Sequence, residues 1–309
     1  MDKKLRIIYM GTPEFAVPSL TALVEAGYHV VAVITAPDKP QGRGRVLTGS
    51  PVKDEALRLQ IPVLQPTNLK SPTFIEELSS YQADLQIVVA FRMLPEVVWN
   101  MPPMGTFNLH ASLLPNYRGA APINWAIING EKETGITTFF LKHEIDTGNI
   151  IFQEKEPIHP EDNVGTLYER LMNKGAKLVV KTVAAITSGD YPQLSQNEAD
   201  FKHHAPKIFK ETCEIDWQKP ALEIHNLVRG LSPYPAAWTT FQEKTCKIYA
   251  TKVTDQKATK TPGSFSTDGK THLHFHAKDH QIAILEIQME GKKRLKIEEF
   301  LRGTKIESE

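Results

Sequence analysis

Residues 5–35 read LRIIYMGTPEFAVPSLTALVEAGYHVVAVIT. Two short apolar runs, residues 5–10 and 28–35, flank a stretch, residues 16–26, whose apolar side chains recur at helical spacing. This order predicts a strand, a helix and a second strand. Strands joined through a helix run parallel to each other. These residues are therefore expected to be the first part of a parallel sheet covered by helices.

The alternation of strand and helix continues through the first half of the chain. The predicted elements there are a helix at 52–59, a strand at 62–64, a helix at 72–79 and strands at 85–90 and 106–110. Ser50-Pro51 and Ser71-Pro72 each supply a capping serine and a proline for the first helical position. Ligands of such sheets bind at the carboxyl ends of the strands, so the segments after Met10, Ala90 and His110 are the places to look for a site.

The second half of the chain has a different pattern. A helix is predicted at about residues 166–188, and the turn-rich and polar stretch that follows, to about residue 207, is typical of a linker. Short alternating apolar runs then occur at residues 238–241, 247–252, 272–276 and 281–288. A small, mainly β domain is expected there, which agrees with a length of 309 residues and two domains.

Composition restricts the partners. Lys plus Arg and Asp plus Glu both number 36, so a nucleic acid would have to bind at local basic patches. Cys213 and Cys246 are far apart and lack metal-ligand spacing, which favours a reducing compartment with neither a disulfide nor a zinc site. No apolar run reaches the roughly 18 residues of a membrane span, so a cytoplasmic protein that does not bind a membrane is expected.

Residues 105–122 read GTFNLHASLLPNYRGAAP. This segment is the most informative part of the chain about catalysis. In a strand at 106–110, side chains alternate, so Asn108 and His110 point to the same side. An amide donor beside an imidazole at a strand end suits a carbonyl group that becomes an oxyanion during nucleophilic attack. The segment therefore indicates acyl-type transfer.

An Asn-x-His pair by itself is more often structural than catalytic. In that interpretation the amide caps the strand end, and the imidazole is a core residue whose hydrogen bonds are made within the protein. A second element strengthens the catalytic interpretation. Residues 135–141 predict a strand, and the following residues KHEIDTG place Asp146 in a loop that ends at Gly148. An Asp before Thr-Gly also commonly bonds its own backbone, which is the alternative for Asp146.

Together these motifs resemble the signature of the folate-dependent formyltransferases. The matching residues are Asn108, His110, Ser112, Leu113, Leu114, Pro115, Arg118-Gly119 and Asp146-Thr147-Gly148. The resemblance implies that Asn108, His110 and Asp146 are catalytic and that residues 112–115 lie against the folate. It also implies 10-formyltetrahydrofolate as the formyl donor, with neither a metal nor a nucleotide cofactor.

Residues 11–15, 37–45 and 50–53 resemble the branch of that family whose acceptor is the initiator methionyl-tRNA in translation initiation. This resemblance implies a Rossmann-like, mostly parallel sheet with helices on both faces at residues 1–189, a linker at 190–207 and a β-barrel resembling an OB-fold at 208–309. The C-terminal domain is expected to bind tRNA, and the protein is expected to act as a monomer.

The glycine-rich stretch around Arg43 and Arg45 does not match a phosphate-binding loop, because it lacks both G-x-G-x-x-G and the required lysine. With the resemblance, Lys39, Arg43 and Arg45 are expected to contact the tRNA backbone. The alternative is a solvated polar loop. Phe15 is expected to line the methionine pocket, with simple coverage of the sheet as its alternative.

The predicted mechanism assigns a role to each catalytic residue. Asn108 donates a hydrogen bond to the formyl oxygen, His110 is a second donor that can be cationic near neutral pH, and Asp146 orients His110 and moves the proton. Competing hypotheses are transfer to another acceptor, such as an amino sugar or a purine precursor, hydrolysis of the formyl group, and a noncatalytic RNA-binding module.

Overall fold

The structure, a computed structural model, describes residues 4–41 and 46–306. The strands, in chain order, are β1 (Arg6–Gly11), β2 (His29–Ile34), β3 (Lys39–Gln41), β4 (Val46–Thr48), β5 (Val63–Leu64), β6 (Leu85–Val89), β7 (Thr106–His110), β8 (Arg118–Gly119), β9 (Glu133–Phe140), β10 (Ile150–Pro157), β11 (His204–Ala205), β12 (Ala237–Phe241), β13 (Lys244–Lys257), β14 (Phe265–Thr267), β15 (Leu273–His276), β16 (His280–Met289) and β17 (Leu295–Lys296). The α-helices are α1 (Val17–Glu25), α2 (Pro51–Arg58), α3 (Pro72–Ser80), α4 (Glu96–Trp99), α5 (Pro122–Ile128), α6 (Val164–Ser188), α7 (Ala221–Leu231) and α8 (Ile297–Gly303).

The described residues divide into two compact units, each made of several stretches of chain. The first unit takes the stretch up to Arg118, Thr134–Glu156 and Tyr168–His204. The second unit takes Gly119–Glu133, Pro157–Leu167 and the stretch from Ala205 onward.

The first unit is built on a sheet with the strand order β10-β9-β7-β6-β1-β2-β5. β1 runs parallel to β2 and β6, β2 to β5, and β6 to β7, whereas β7 and β9 are antiparallel. The predicted mostly parallel, Rossmann-like sheet is therefore confirmed. Ser50 caps α2 as predicted, since its hydroxyl accepts a hydrogen bond of 3.0 Å from the Lys53 amide.

The centre of this sheet is apolar on both faces because helices cover it. Ile7, Ile8, Tyr9 and Met10 of β1 are all fully buried, and burial of one such aliphatic side chain stabilises the fold by about 1.5–3 kcal/mol. Ile8 and Met10 pack in a cluster that includes Phe74 of α3. Continuous apolar strands of this kind are typical of parallel sheets buried between helices.

Helix α6 packs against one face of β7. A Cβ atom at Gly175 would lie only 2.6 Å from Cδ2 of Leu109, so a larger residue there would have to displace the Leu109 side chain. Arg170 and Lys174, one turn apart on α6, both bond the carboxylate of Glu156 on β10, at 2.8 and 2.6 Å. Since Leu109 faces α6, the two residues adjacent to it in β7 point to the opposite face of the sheet.

The second unit contains an antiparallel sheet with the order β12-β13-β16-β15-β14, and β17 pairs with β16. β13 is 14 residues long and its pairing with β16 has several register shifts, which bend and coil a strand as a barrel requires. The core contains Ile224 and Val228 of α7 and Phe300 of α8, and Trp217 stacks on Phe275 at 4.5 Å. The predicted barrel-like β domain is confirmed. In the part of the chain that the structure describes, no helix combines the length and the apolar character that a membrane span needs.

Candidate active site

His110 and Asp146, which the sequence places 36 positions apart, come together at the carboxyl end of β7 in the first unit's sheet. His110 is the last residue of β7, and Asp146 lies in the loop that joins β9 to β10. Nδ1 of His110 is 3.9 Å from Oδ2 of Asp146, and both side chains are nearly buried, with 7% and 12% of their surface exposed. The carboxylate thus faces one nitrogen of the imidazole in a site with little water.

The other ring nitrogen of His110 is held by the backbone. Nε2 lies 2.8 Å from the carbonyl oxygen of Tyr117, and a carbonyl can only accept a hydrogen bond. Nε2 therefore carries a proton, and Nδ1 is the nitrogen that can exchange one on the side of Asp146. The carbonyl of Tyr117 selects this tautomer in the way that a backbone acceptor commonly fixes a functional histidine.

Asn108 shares the face of β7 that carries His110, as its position two residues earlier predicts. The residue is half-buried, and its Oδ1 is buried without a hydrogen-bond partner among the described residues. An amide can present either its oxygen or its NH₂ at such a position after a half-turn of the side chain. Because a buried polar atom without a partner costs about 1–3 kcal/mol, this unused hydrogen-bonding capacity suggests a ligand that supplies the missing partner.

The loop that carries Asp146 depends on Gly148. A Cβ atom there would lie 1.5 Å from the carbonyl oxygen of Phe140, so no other residue fits without movement of the backbone. Asp146 itself has a φ of 56°, in the left-handed region that Asp adopts more readily than most residues. Thr147 donates from its hydroxyl to the carbonyl of Glu144 at 3.1 Å, which closes the turn locally.

Ser112, Leu113, Leu114 and Pro115 form a turn whose polar groups are bonded within the protein. The Ser112 hydroxyl donates to the carbonyl of Asn116 at 2.7 Å, and its own carbonyl accepts from the Thr137 hydroxyl at 2.6 Å. Gln153 donates to the carbonyl of Leu114 at 2.8 Å. Leu114 packs with Phe139 and Ile150, while Leu113 is half-buried and so partly accessible. The turn follows His110 directly and is held rigidly by these contacts.

Phe15 is buried, with 5% of its surface exposed, in a 3-10 helix after β1. Its ring meets that of Tyr168 edge to face at 5.1 Å, and its amide donates to the Tyr168 hydroxyl at 2.8 Å. This position fits coverage of the sheet by helix α6. Its role in a methionine pocket stays a prediction.

Arg43 and Arg45 lie outside the described residues. The strands on either side of them, β3 and β4, pair in antiparallel fashion, from Lys39 with Thr48 to Gln41 with Val46. The base of this ribbon is fixed, because Asp38 accepts hydrogen bonds from Lys53 at 2.6 Å and from Gln65 at 2.7 Å. The side chain of Lys39, at the start of the ribbon, is exposed.

Two residues that touch the site escape reasoning from the sequence. Tyr117 bonds His110 through its backbone carbonyl, which any residue would supply. The identity of its side chain therefore does not indicate this contact in the sequence. Gln196 lies in the stretch whose composition predicts a linker, yet its Nε2 donates to the carbonyls of Asp146 and Gly148, at 2.7 and 2.9 Å. A hydrogen bond to a loop 50 positions earlier leaves no periodic pattern in a single sequence.

Comparison with known proteins agrees with this geometry. The family described as formyl transferase matches residues 3–183, and the family described as formyl transferase, C-terminal domain, matches residues 207–305. A methionyl-tRNA formyltransferase from Phocaeicola vulgatus is 57% identical over 315 residues, which cover 98% of this chain and 97% of that protein. One from Bacteroides fragilis is 56% identical over 307 residues, with coverage of 97% and 95%.

Among solved structures, the N-formyltransferase from Helicobacter canadensis in complex with folinic acid and dTDP-3-aminofucose superposes with a TM-score of 0.69. It is 23% identical and covers 92% of this chain and 99% of that one, so it supports the fold alone. The match over more than half of the chain and the identity of the full-length relatives are decisive. The chain belongs to the formyl transferase family, in which its sequence groups with the methionyl-tRNA formyltransferases.

Proposed function

We propose that this protein transfers the formyl group of 10-formyltetrahydrofolate to the α-amino group of initiator methionyl-tRNA. The single observation that carries the chemistry is the distance of 3.9 Å between the His110 imidazole and the Asp146 carboxylate, with Asn108 two residues before His110 on the same face of β7. In the overall reaction, the bond between the formyl carbon and the folate nitrogen breaks, a bond to the acceptor nitrogen forms, and one proton passes from the acceptor to the folate.

The relatives named above support tRNA as the acceptor. They are methionyl-tRNA formyltransferases at 56–57% identity over almost the whole chain, whereas the N-formyltransferase in complex with folinic acid and dTDP-3-aminofucose shares 23%. An amino sugar or a purine precursor is therefore not favoured. The division into a catalytic domain at 1–189, a linker at 190–207 and a tRNA-binding domain at 208–309 belongs to the same proposal, as do a monomeric state and a cytoplasmic location.

The residues of the site suit a folate that donates a formyl group. Asn108 has a buried amide end without a partner among the residues described, and a formyl oxygen would bond it once the NH₂ is turned to that side. Leu113, in the turn after His110, offers a partly accessible apolar side chain. We assign Ser112, Leu113, Leu114 and Pro115 to the wall against which the folate lies.

Asn108 donates to the formyl oxygen and stabilises the negative charge that develops there. Such a donor is effective because it is already oriented in a site with little water and needs no rearrangement as the charge forms. His110 adds a second donor from Nδ1 when the ring is protonated, since Nε2 is committed to the carbonyl of Tyr117. The two donors therefore act from neighbouring positions on one strand.

Asp146 faces Nδ1 of His110 with its carboxylate and accepts the proton that the attacking amine must lose. An α-amine is already partly neutral near pH 7, so it needs a proton acceptor more than it needs activation. A carboxylate placed within reach of the reacting atoms supplies about 10²–10⁴-fold in such transfers. Arg43, Arg45 and the exposed Lys39 are proposed to hold the tRNA backbone, and Phe15 to border the methionine pocket.

One assay tests the function directly. Purified protein, 10-formyltetrahydrofolate carrying a labelled formyl group and charged initiator methionyl-tRNA should give label in acid-stable formylmethionyl-tRNA. Uncharged tRNA and an amino-sugar nucleotide serve as matched acceptors that should remain unlabelled. Label in the sugar nucleotide but not in the charged tRNA, or release of formate without any acceptor, would overturn the proposal.

A further inference from the structure

The stretch after α6, whose composition is that of a linker, folds back over the catalytic loop. Leu194 and Ile150 exchange both backbone hydrogen bonds, at 2.8 and 3.0 Å, so the returning chain is fixed to the first residue of β10. Gln196 follows two residues later. This pairing places its side chain beside the loop that carries Asp146.

The carboxamide of Gln196 uses its whole hydrogen-bonding capacity at this point. Nε2 donates to the carbonyls of Asp146 and Gly148, at 2.7 and 2.9 Å. Oε1 accepts from Nε and Nη2 of Arg118, at 3.1 and 2.7 Å. A carboxamide that is donor at one end and acceptor at the other is the neutral group that can join two carbonyls to a guanidinium.

Arg118 is fixed in turn. Its side chain is 10% exposed, it pairs with Glu198 at 2.7 Å, and its guanidinium lies over the ring of Phe201 at 5.3 Å. Arg118 directly follows Tyr117, whose carbonyl holds His110. Gln196 thus joins the stretch that orients the imidazole to the stretch that carries the carboxylate.

The contacts run from His110 through Tyr117, Arg118 and Gln196 to the backbone of Asp146. Since Asp146 adopts a left-handed backbone conformation in a loop, its carboxylate direction depends on what holds its own peptide group. Displacement of a catalytic group by about 1 Å can cost on the order of a hundredfold in rate. We propose that Gln196 is a positioning residue for Asp146, and this inference rests on the proposed formyl transfer.

The test is a double-mutant cycle with Gln196→Ala and Asp146→Asn. Gln196→Ala should lower kcat by about tenfold to a hundredfold while both KM values change by less than about twofold, because substrate binding does not use Gln196. In the Asp146→Asn protein, the same change should lower kcat by less than about twofold, since the group it positions is already lost. Gln196→Glu retains the Arg118 contact but loses both donors, and should lower kcat like Gln196→Ala even if the alanine variant fails to fold.

Asn197→Ala is the matched control, since among the residues that the structure describes this neighbouring amide bonds only Ala199 and Asp200, within its own stretch. It should leave kcat within about twofold of wild type. Three results would each overturn the inference. Gln196→Ala could lower kcat by the same factor in the wild-type and Asp146→Asn proteins, it could leave kcat unchanged, or Asn197→Ala could lower kcat as much as Gln196→Ala does. If the wild type transfers no formyl group, the proposed function fails. In that case amide hydrogen exchange of residues 142–149 tests whether Gln196 holds the loop. Only the Gln196 variants should exchange faster there than the wild type.

Discussion

Nδ1 of His110 lies 3.9 Å from Oδ2 of Asp146, a separation that is too long for a direct hydrogen bond. The two groups can therefore interact electrostatically without a direct hydrogen bond between them. A direct hydrogen bond would tie the carboxylate to the imidazole. The longer spacing suits a carboxylate that serves both the histidine and the acceptor amine.

Asp146→Asn should separate these tasks from substrate binding. The amide keeps the shape of the carboxylate, but it does not accept a proton and carries no negative charge beside His110. We expect kcat to fall by about 10²–10⁴-fold, with KM values for folate and tRNA within a few fold of wild type. Steady-state formylation with each substrate varied in turn measures both quantities. Asp190→Asn, an exposed position of the same unit, is the control and should retain full activity.

Asn108→Ala removes the proposed donor to the formyl oxygen. Loss of one such donor costs about 2.7–4 kcal/mol of transition-state stabilisation, so kcat should fall by about 10²–10³-fold. Asn108→Asp keeps the size and replaces the NH₂ with an acceptor, and it should be at least as damaging. Single-turnover rates of both variants check the role. A rate within about tenfold of wild type in either protein would contradict it.

The sequence predicts β7 to the residue because the strand is short, alternating and bounded by Gly105 on one side and by the turn that ends at Pro115 on the other. The helix predicted at 166–188 begins two residues earlier, at Val164. Both elements depend on local apolar spacing, which a single sequence displays directly. The common face of Asn108 and His110 follows from the same alternation, and this part of the site is therefore predictable from the residues alone.

Long-range hydrogen bonds are the part that the sequence does not display. The β3–β4 ribbon, predicted as a loop, depends on pairing of Lys39 with Thr48, and neither strand has an alternating apolar pattern. Gln196 lies in a polar stretch, and its position over Asp146 depends on the Leu194–Ile150 pairing. Such contacts follow from tertiary structure and leave no mark on composition or periodicity.

Gly148→Ala should disable the Asp146 loop without affecting the rest of the fold. The new methyl group would lie 1.5 Å from the Phe140 carbonyl, so the loop must move and carry Asp146 with it. We expect kcat to fall by at least about a hundredfold and the free energy of unfolding to fall by about 1–3 kcal/mol. Gly303→Ala, where nothing lies within 4 Å of the new atom, is the control for both measurements. Wild-type kcat in Gly148→Ala would show that the observed loop conformation is not required.

His225 should make the stability of the protein depend on pH. Burial lowers its pKa to about 4, and the charge of Arg229 acts in the same direction. In the unfolded chain the group titrates near about 6.5, so between these values the unfolded state binds a proton that the folded state does not. The free energy of unfolding therefore rises with pH across this window, and stability is lost as the pH falls from about 6.5 towards 4.

His225→Gln removes this linkage and can still bond the Thr251 hydroxyl, which lies 2.9 Å from Nδ1. At pH 5 the full shift corresponds to about 2 kcal/mol, and solvent screening of a half-buried ring reduces the effect to about 1 kcal/mol. Urea unfolding at pH 7 and pH 5 should show that the wild type loses about that much more stability than the variant. His274 and His276 are present in both proteins and cancel in this difference. Equal losses would mean that His225 does not titrate differently on folding.

Arg43→Ala tests the proposed contact of the β3–β4 ribbon with tRNA. A guanidinium on a phosphate contributes mainly electrostatic binding, so the KM for methionyl-tRNA should rise while the KM for 10-formyltetrahydrofolate stays constant. The slope of log KM for tRNA against log salt concentration should also fall by about one, because one fewer phosphate is neutralised. Lys70→Ala, at an exposed lysine of the first unit, is the control for general surface charge and should change neither quantity. An equal rise of both KM values in Arg43→Ala would instead place Arg43 in the folding of the catalytic unit.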